Sequence, residues 1–174
     1  MVGKTSLADR LSYHAVGLGM GTMRLHASQP KTQNGIDEYL LPLAEHLDLI
    51  RRDDFLVIVD RWCCGETIYG PMLRGKSIIT DEQHEDVHAF LRNVGGLLTV
   101  LVADEYKLIE RYAMRGDTLV TIQQVIDANR QFHLHAMRDR LLITTSDVPV
   151  YWLLLQAEEQ RKAAAYHGAH HPGK

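Results

Sequence analysis

Three short apolar runs, FLVIV at 55–59, LLTVLVA at 97–103 and LLITT at 141–145, are separated by stretches whose apolar residues recur every three or four positions. Continuous apolar runs of this length are the pattern of strands buried on both faces, as in parallel sheets. Parallel neighbours need a crossover between them, here supplied by the helical stretches. A fourth strand is expected at 22–27 (TMRLHA), followed by a polar loop at 28–34 with Pro30 and Gly35 as punctuation. Helices are expected from Thr5 to about Ser12, from Ile36 to Ile50 with a kink at Pro42, over 81–91, and from a cap at Asp104 to a stop at Gly116. Ile122, Val125, Ala128 and Phe132 mark a further helix face. The last helix is expected to run from a cap at Asp147 to about Ala165, ahead of a disordered tail over 166–174 whose histidines are either metal ligands or a plain polar tail. The whole reads as α/β, one domain over 1–174, with a mostly parallel sheet covered on both faces.

Composition closes off several function classes. A net charge of -3 offers no basic strip for a polynucleotide, and no apolar run approaches the roughly 18 residues that a membrane span needs. The two cysteines, Cys63 and Cys64, are adjacent. Such neighbours rarely bridge, so a reduced, cytoplasmic setting is expected, with both thiols as small buried fillers.

Gly3-Lys4-Thr5-Ser6, placed directly before a helix, has the form of the second half of a phosphate-binding loop, G-x-x-x-x-G-K-[ST]. In such a loop the glycine lets the backbone approach the phosphates, the lysine reaches the β- and γ-phosphates, and the hydroxyl after it holds Mg²⁺. By chance the tripeptide occurs in about one chain in ten of this length, so it needs support from elsewhere. The loop's first glycine and the strand feeding it would lie upstream of Met1. The expectation is therefore that Met1 is internal to a longer reading frame and that the first strand of the sheet is missing from the sequence as given. Asp60-Arg61 ends the FLVIV run, and the tip of a parallel strand is where doubly wound sheets bind ligands. Asp60 suits a metal or its water and Arg61 a phosphate clamp; a surface Asp-Arg pair is the other reading. Arg111 and Arg115, four apart, share one helix face, as lid arginines over a phosphoryl group or as a basic patch balancing Glu105 and Glu110. Arg24, Gln29 and Lys31 in RLHASQPK are weaker candidates for an acceptor site. His133 and His135 project to different sides of a helix and read as structural.

The stretch from Asp60 to Gly75, with Asp60-Arg61-Trp62, Glu66, Tyr69-Gly70-Pro71 and Leu73-Arg74-Gly75, resembles the P-loop nucleoside monophosphate kinases of the thymidylate kinase type, especially small bacteriophage members. Gly65 stands where that family usually has serine. The resemblance implies a P-loop NTPase-like three-layer sandwich and transfer of the ATP γ-phosphoryl to a deoxynucleoside monophosphate such as dTMP. It implies Lys4, Asp60, Arg61, Arg111 and Arg115 as catalytic residues and Gly3, Lys4, Thr5 and Ser6 as the ATP-binding loop. Thr5 and Asp60 would hold Mg²⁺. Arg61, Trp62, Glu66, Tyr69 and Arg74 would take the acceptor, under a lid at about 108–120. Its partners would be nucleotides, with a homodimer in keeping with the family and the host cytoplasm as the compartment of a phage-encoded member. Another P-loop phosphotransferase, acting on a nucleoside or polynucleotide, and a non-catalytic nucleotide-binding relative are the alternatives.

Overall fold

A computed structural model describes residues 2–26, 35–61, 63–116 and 120–170. Among these, eight helices and four strands follow in the order α1 (Lys4–Gly17), β1 (Gly21–His26), α2 (Gly35–Ala44), α3 (Leu47–Ile50), β2 (Phe55–Asp60), α4 (Cys64–Arg74), α5 (Asp81–Asn93), β3 (Thr99–Leu101), α6 (Glu105–Arg115), α7 (Ile122–Arg138), β4 (Leu142–Thr144) and α8 (Val150–His170). The mixed α/β class and the parallel strands expected from the apolar runs are both present. The single sheet is not. The strands form two separate parallel pairs among the described residues, β1 with β2 and β3 with β4. Gly21 lies opposite Phe55 and His26 opposite Asp60 in the first pair. Thr99 lies opposite Leu142 and Leu101 opposite Thr144 in the second. With one neighbour in place of two, the FLVIV strand is only partly covered, and Asp60 is its one buried residue.

The helices join the pairs. α1 packs on β1 and β2 and also against α8. Its Leu7 shares a core with Val150 and Leu153, onto which Leu101 and Leu142 close. A second core gathers Tyr39 and Leu43 from α2, Val87 from α5, and Cys63 and Ile79 from just ahead of α4 and α5, so Cys63 is the buried filler expected of it. α7 is pinned to the end of β3 by Asn129, whose Nδ2 donates to the Ala103 carbonyl at 2.9 Å while its Oδ1 accepts from the Ala103 N–H at 3.1 Å. That side chain takes over backbone groups that a strand extending to Ala103 would have paired within a sheet.

Several boundaries differ from expectation for local reasons. α2 passes through Pro42 and ends two residues later at Ala44, and a short separate helix, α3, follows. Asp104 sits at the start of α6 in extended conformation, but its side chain makes no capping bond. Asp147 does not cap α8 either; it accepts from Lys107 Nζ at 3.2 Å. The helix begins only at Val150, because Pro149 disfavours helical geometry for Val148 before it. α8 then continues to His170, so 166–170, expected to be disordered, are helical. α4, spanning Gly70-Pro71, was not expected at all.

α5 and α7 open with capping boxes, Thr80 with Gln83 and Thr121 with Gln124, each hydroxyl accepting from the N–H three residues on. Thr121→Ala should lower stability by about 1 kcal/mol, read as a fall in the urea midpoint with the slope unchanged.

Candidate functional site

The N-terminus of α1 meets the tip of β2. Gly3 precedes the helix at φ 87°, in the left-handed region, and a methyl group there would come within 2.5 Å of Ser146 Cβ. Only glycine fits so close to the 146–148 loop. Arg10 fastens that loop by donating to the Ser146 carbonyl at 2.6 Å and the Val148 carbonyl at 2.8 Å, a role with no local sequence signal. No side chain caps α1, and its first turn carries no acidic residue. The positive end of the helix dipole at Lys4, Thr5 and Ser6 is thus not neutralised locally.

Lys4 stays open to solvent along part of its length. Packing around its ammonium nevertheless strips away water and lowers its pKa below the ordinary 10.5; Arg61 and then Arg115 lower it further, while Asp60 pulls the other way. These four residues therefore lie within electrostatic reach of one another.

Asp60 is 7 % exposed. Its Oδ2 accepts from Arg24 Nη2 at 2.9 Å and lies 3.8 Å from His26 Nδ1, while its Oδ1 has no hydrogen-bond partner. Arg24 also reaches Asp9 Oδ1 at 2.6 Å, linking α1, β1 and β2 through one guanidinium. Arg61, next along, has φ 69°. A bulky residue in the left-handed region costs about 1–2 kcal/mol, and such strain concentrates at functional sites.

Arg111 Nη2 approaches Ser146 Oγ at 3.5 Å, placing it beside the Gly3 loop. Arg115 is exposed at the end of α6, and Gly116 closes the helix in left-handed conformation, as its position predicts. The expected lid is therefore a regular helix up to Gly116, and 117–119 lie outside the described residues. So do Gln29, Lys31 and Trp62. Tyr69 is 37 % exposed and sets its ring edge against Phe132 at 5.6 Å. Packing raises its hydroxyl pKa and Arg61 opposes that, which puts Tyr69 on the Arg61 side of α4.

Glu66 and Arg74 pair with each other. Glu66 is buried and ion-paired to Arg74, and its Oε1 also accepts from the Ile78 N–H at 2.9 Å. The two neutralise each other and hold the 76–78 turn to α4. Tyr39, on α2, lies beside them: burial pushes its pKa strongly upward, with the nearby Glu66 charge adding to the effect.

The structure thus gathers Lys4, Asp60, Arg61, Arg111 and Arg115 around the start of α1, with Thr5 and Ser6 exposed on its first turn. Lys4, Arg24, Arg61 and Arg115 against the one buried carboxylate of Asp60 make a site suited to an anion. No helix among the described residues is long and apolar enough to cross a membrane. Comparison with family models, curated proteins and solved structures gives no match.

Proposed function

We propose that this chain is a P-loop phosphotransferase of the thymidylate kinase type, passing the γ-phosphoryl of ATP to a deoxynucleoside monophosphate such as dTMP. The observation that carries the reading is the convergence of Lys4, Asp60 and Arg61 at an uncapped helix N-terminus. On this reading the two parallel strand pairs belong to a three-layer P-loop sandwich.

The α1 N–H groups and Lys4 bind the donor phosphates, and an approaching polyphosphate supplies the negative charge that crowding and Arg61 deny the ammonium. Arg61 offers a two-pronged guanidinium to the acceptor phosphate, aimed by its left-handed backbone. Arg111 and Arg115 spread positive charge over the transferring group, so no side-chain nucleophile is required. Asp60 Oδ1, buried and unpartnered, fits a hard cation such as Mg²⁺, with the Thr5 hydroxyl as a second oxygen donor. When bound there, Mg²⁺ would neutralise charge on the β- and γ-phosphates.

The test is a coupled assay of ADP release from ATP and Mg²⁺ with a panel of nucleoside monophosphates and Lys4→Ala as control. Turnover with one or two deoxynucleotides is expected, with the control reduced by about a hundredfold or more. kcat/KM should also fall on an alkaline limb below 10.5, because the lowered Lys4 pKa makes the free enzyme lose that charge early as pH rises. Nucleotide binding by a folded chain without turnover would favour the non-catalytic alternative. Neither binding nor turnover would end the kinase reading.

A further inference from the structure

Away from the α1 loop, α5 and α7 each present a pair of side chains four residues apart, and such a pair stands one turn above another on one helix face. His84 and His88 come from α5; His135 comes from α7 and Asp139 from the residue that ends it. One ligand atom from each of the four lies within 4.8 Å of every other. His84 and His88 are each 6 % exposed, and the side chains of His135 and Asp139 are 9 % and 18 % exposed. The His84 ring packs on both neighbours, its centroid 4.3 Å from that of His88 and 5.0 Å from that of His135.

A merely structural cluster of buried imidazoles would place its ring nitrogens in hydrogen bonds. Here His84 Nε2 has no partner, and His135 Nε2, though 3.1 Å from Asp139 Oδ2, lacks hydrogen-bonding geometry. Two buried ring nitrogens, His84 Nε2 and His135 Nε2, are thus left without a hydrogen bond inside a cluster of three imidazoles and a carboxylate. Nitrogen-rich sets of four select Zn²⁺ over Mg²⁺ or Ca²⁺, which take oxygen cages.

We propose that His84, His88, His135 and Asp139 form a structural Zn²⁺ site that clamps α5 to α7. Tetrahedral Zn²⁺ with bonds of about 2.0–2.1 Å needs ligand atoms about 3.4 Å apart, so the four side chains close inward by small torsional changes. All four positions come from protein, which makes the site closed and structural, with no place kept for a substrate. Arg138 Nε donates to Asp139 Oδ1 at 2.7 Å and Arg138 Nη2 donates to Oδ2 at 3.3 Å; the second, longer bond gives way when Oδ2 takes the ion. Arg138 Nη2 also lies 3.1 Å from His135 Nδ1. Once Nε2 ligates, Nδ1 carries the ring proton, and the Arg138 side chain, 68 % exposed, turns off it. α5 belongs to the Cys63–Val87 core and α7 is tied to β3, so the ion would lock the surroundings of one strand pair to those of the other.

The test uses the full chain freed of metal by chelation and titrated with Co²⁺. The expected result is one equivalent bound, the intense visible bands of tetrahedral Co²⁺, no thiolate charge-transfer absorption, and displacement of the bands by Zn²⁺. Zn²⁺ at about a hundredfold excess over Kd should raise Tm by roughly 5–10 °C. The bands should disappear in His84→Gln and in Asp139→Asn, each checked for folding by circular dichroism, and should survive replacement of His167, His170 and His171 by alanine. Should a variant fail to fold, X-ray absorption at the zinc edge of the native chain decides the matter through a nitrogen- and oxygen-only shell with imidazole scattering. No stoichiometric binding, thiolate bands, or bands lost only in the His167, His170 and His171 variant would each overturn the site.

Discussion

Arg61→Gly should leave the protein as stable as the native chain, or more stable by up to about 1 kcal/mol, while phosphoryl transfer falls about a thousandfold. At φ 69° any side chain other than glycine is strained by about 1–2 kcal/mol, and removing Cβ relieves it. The extra freedom glycine gives the unfolded chain takes back about 0.5–1 kcal/mol, so the net effect is small and not negative. Arg61 is exposed and, among the described residues, belongs to neither core. A guanidinium placed against a transferring or accepting phosphate is worth about 10³–10⁵ in rate, and glycine cannot replace it. Arg61→Lys should fail almost as badly in transfer, since an ammonium lacks the two-pronged geometry. Thermal unfolding measured beside the ADP-release assay separates the two effects. A variant that loses activity only in step with its stability would show that Arg61 is a structural residue.

Asp60→Ala is expected to cost both. Asp60 is the buried counter-charge for Arg24 and lies close to Lys4. Removing it leaves Arg24 with only the exposed Asp9 as partner and takes from Lys4 the one nearby charge that favours its ammonium. Breaking a buried ion pair costs about 3–5 kcal/mol, and the lower end applies because the Arg24 side chain is 31 % exposed and can reach water. Added salt should restore part of that stability by screening the cations. Asp60→Asn keeps the shape and one acceptor, so it should lose only about 1–3 kcal/mol. Both should lose Mg²⁺-dependent turnover. Chemical denaturation at two salt concentrations is the deciding measurement: equal losses for alanine and asparagine, with no response to salt, would deny that the charge matters.

How much of this was legible beforehand differs from feature to feature. The apolar runs gave strands and their parallel sense, because a strand covered by crossover helices needs an apolar side chain at nearly every position. They could not give the division into two pairs, since hydrogen bonding between strands leaves no mark on composition. The Gly3-Lys4-Thr5 step and Asp60-Arg61 stood out by residue type and order, and the structure places them at a helix start and a strand tip. Glu66 and Arg74 sit in the same stretch, but local pattern does not reveal that Arg74 turns back along α4 onto Glu66. The histidine cluster had a signal that was passed over. His84 and His88 share the four-residue spacing of His135 and Asp139, whereas His133 and His135, taken together, point apart. Only the packing of α5 against α7 makes the first two pairs meet. Arg10 had no signal at all, since its partners are backbone carbonyls more than a hundred positions away.

The contact between α1 and α8 also has a meaning in time. Helix α1 is among the first parts of this sequence to be synthesised, and the residues that complete its surroundings, Ser146, Val148, Val150 and Leu153, come more than a hundred positions later. During translation Leu7 therefore waits without its core, and the Gly3 loop waits without the turn that closes on it. Lys4 and its neighbours become an ordered anion site only when most of the chain has left the ribosome. A nascent chain would carry the residues of the site before their surroundings exist.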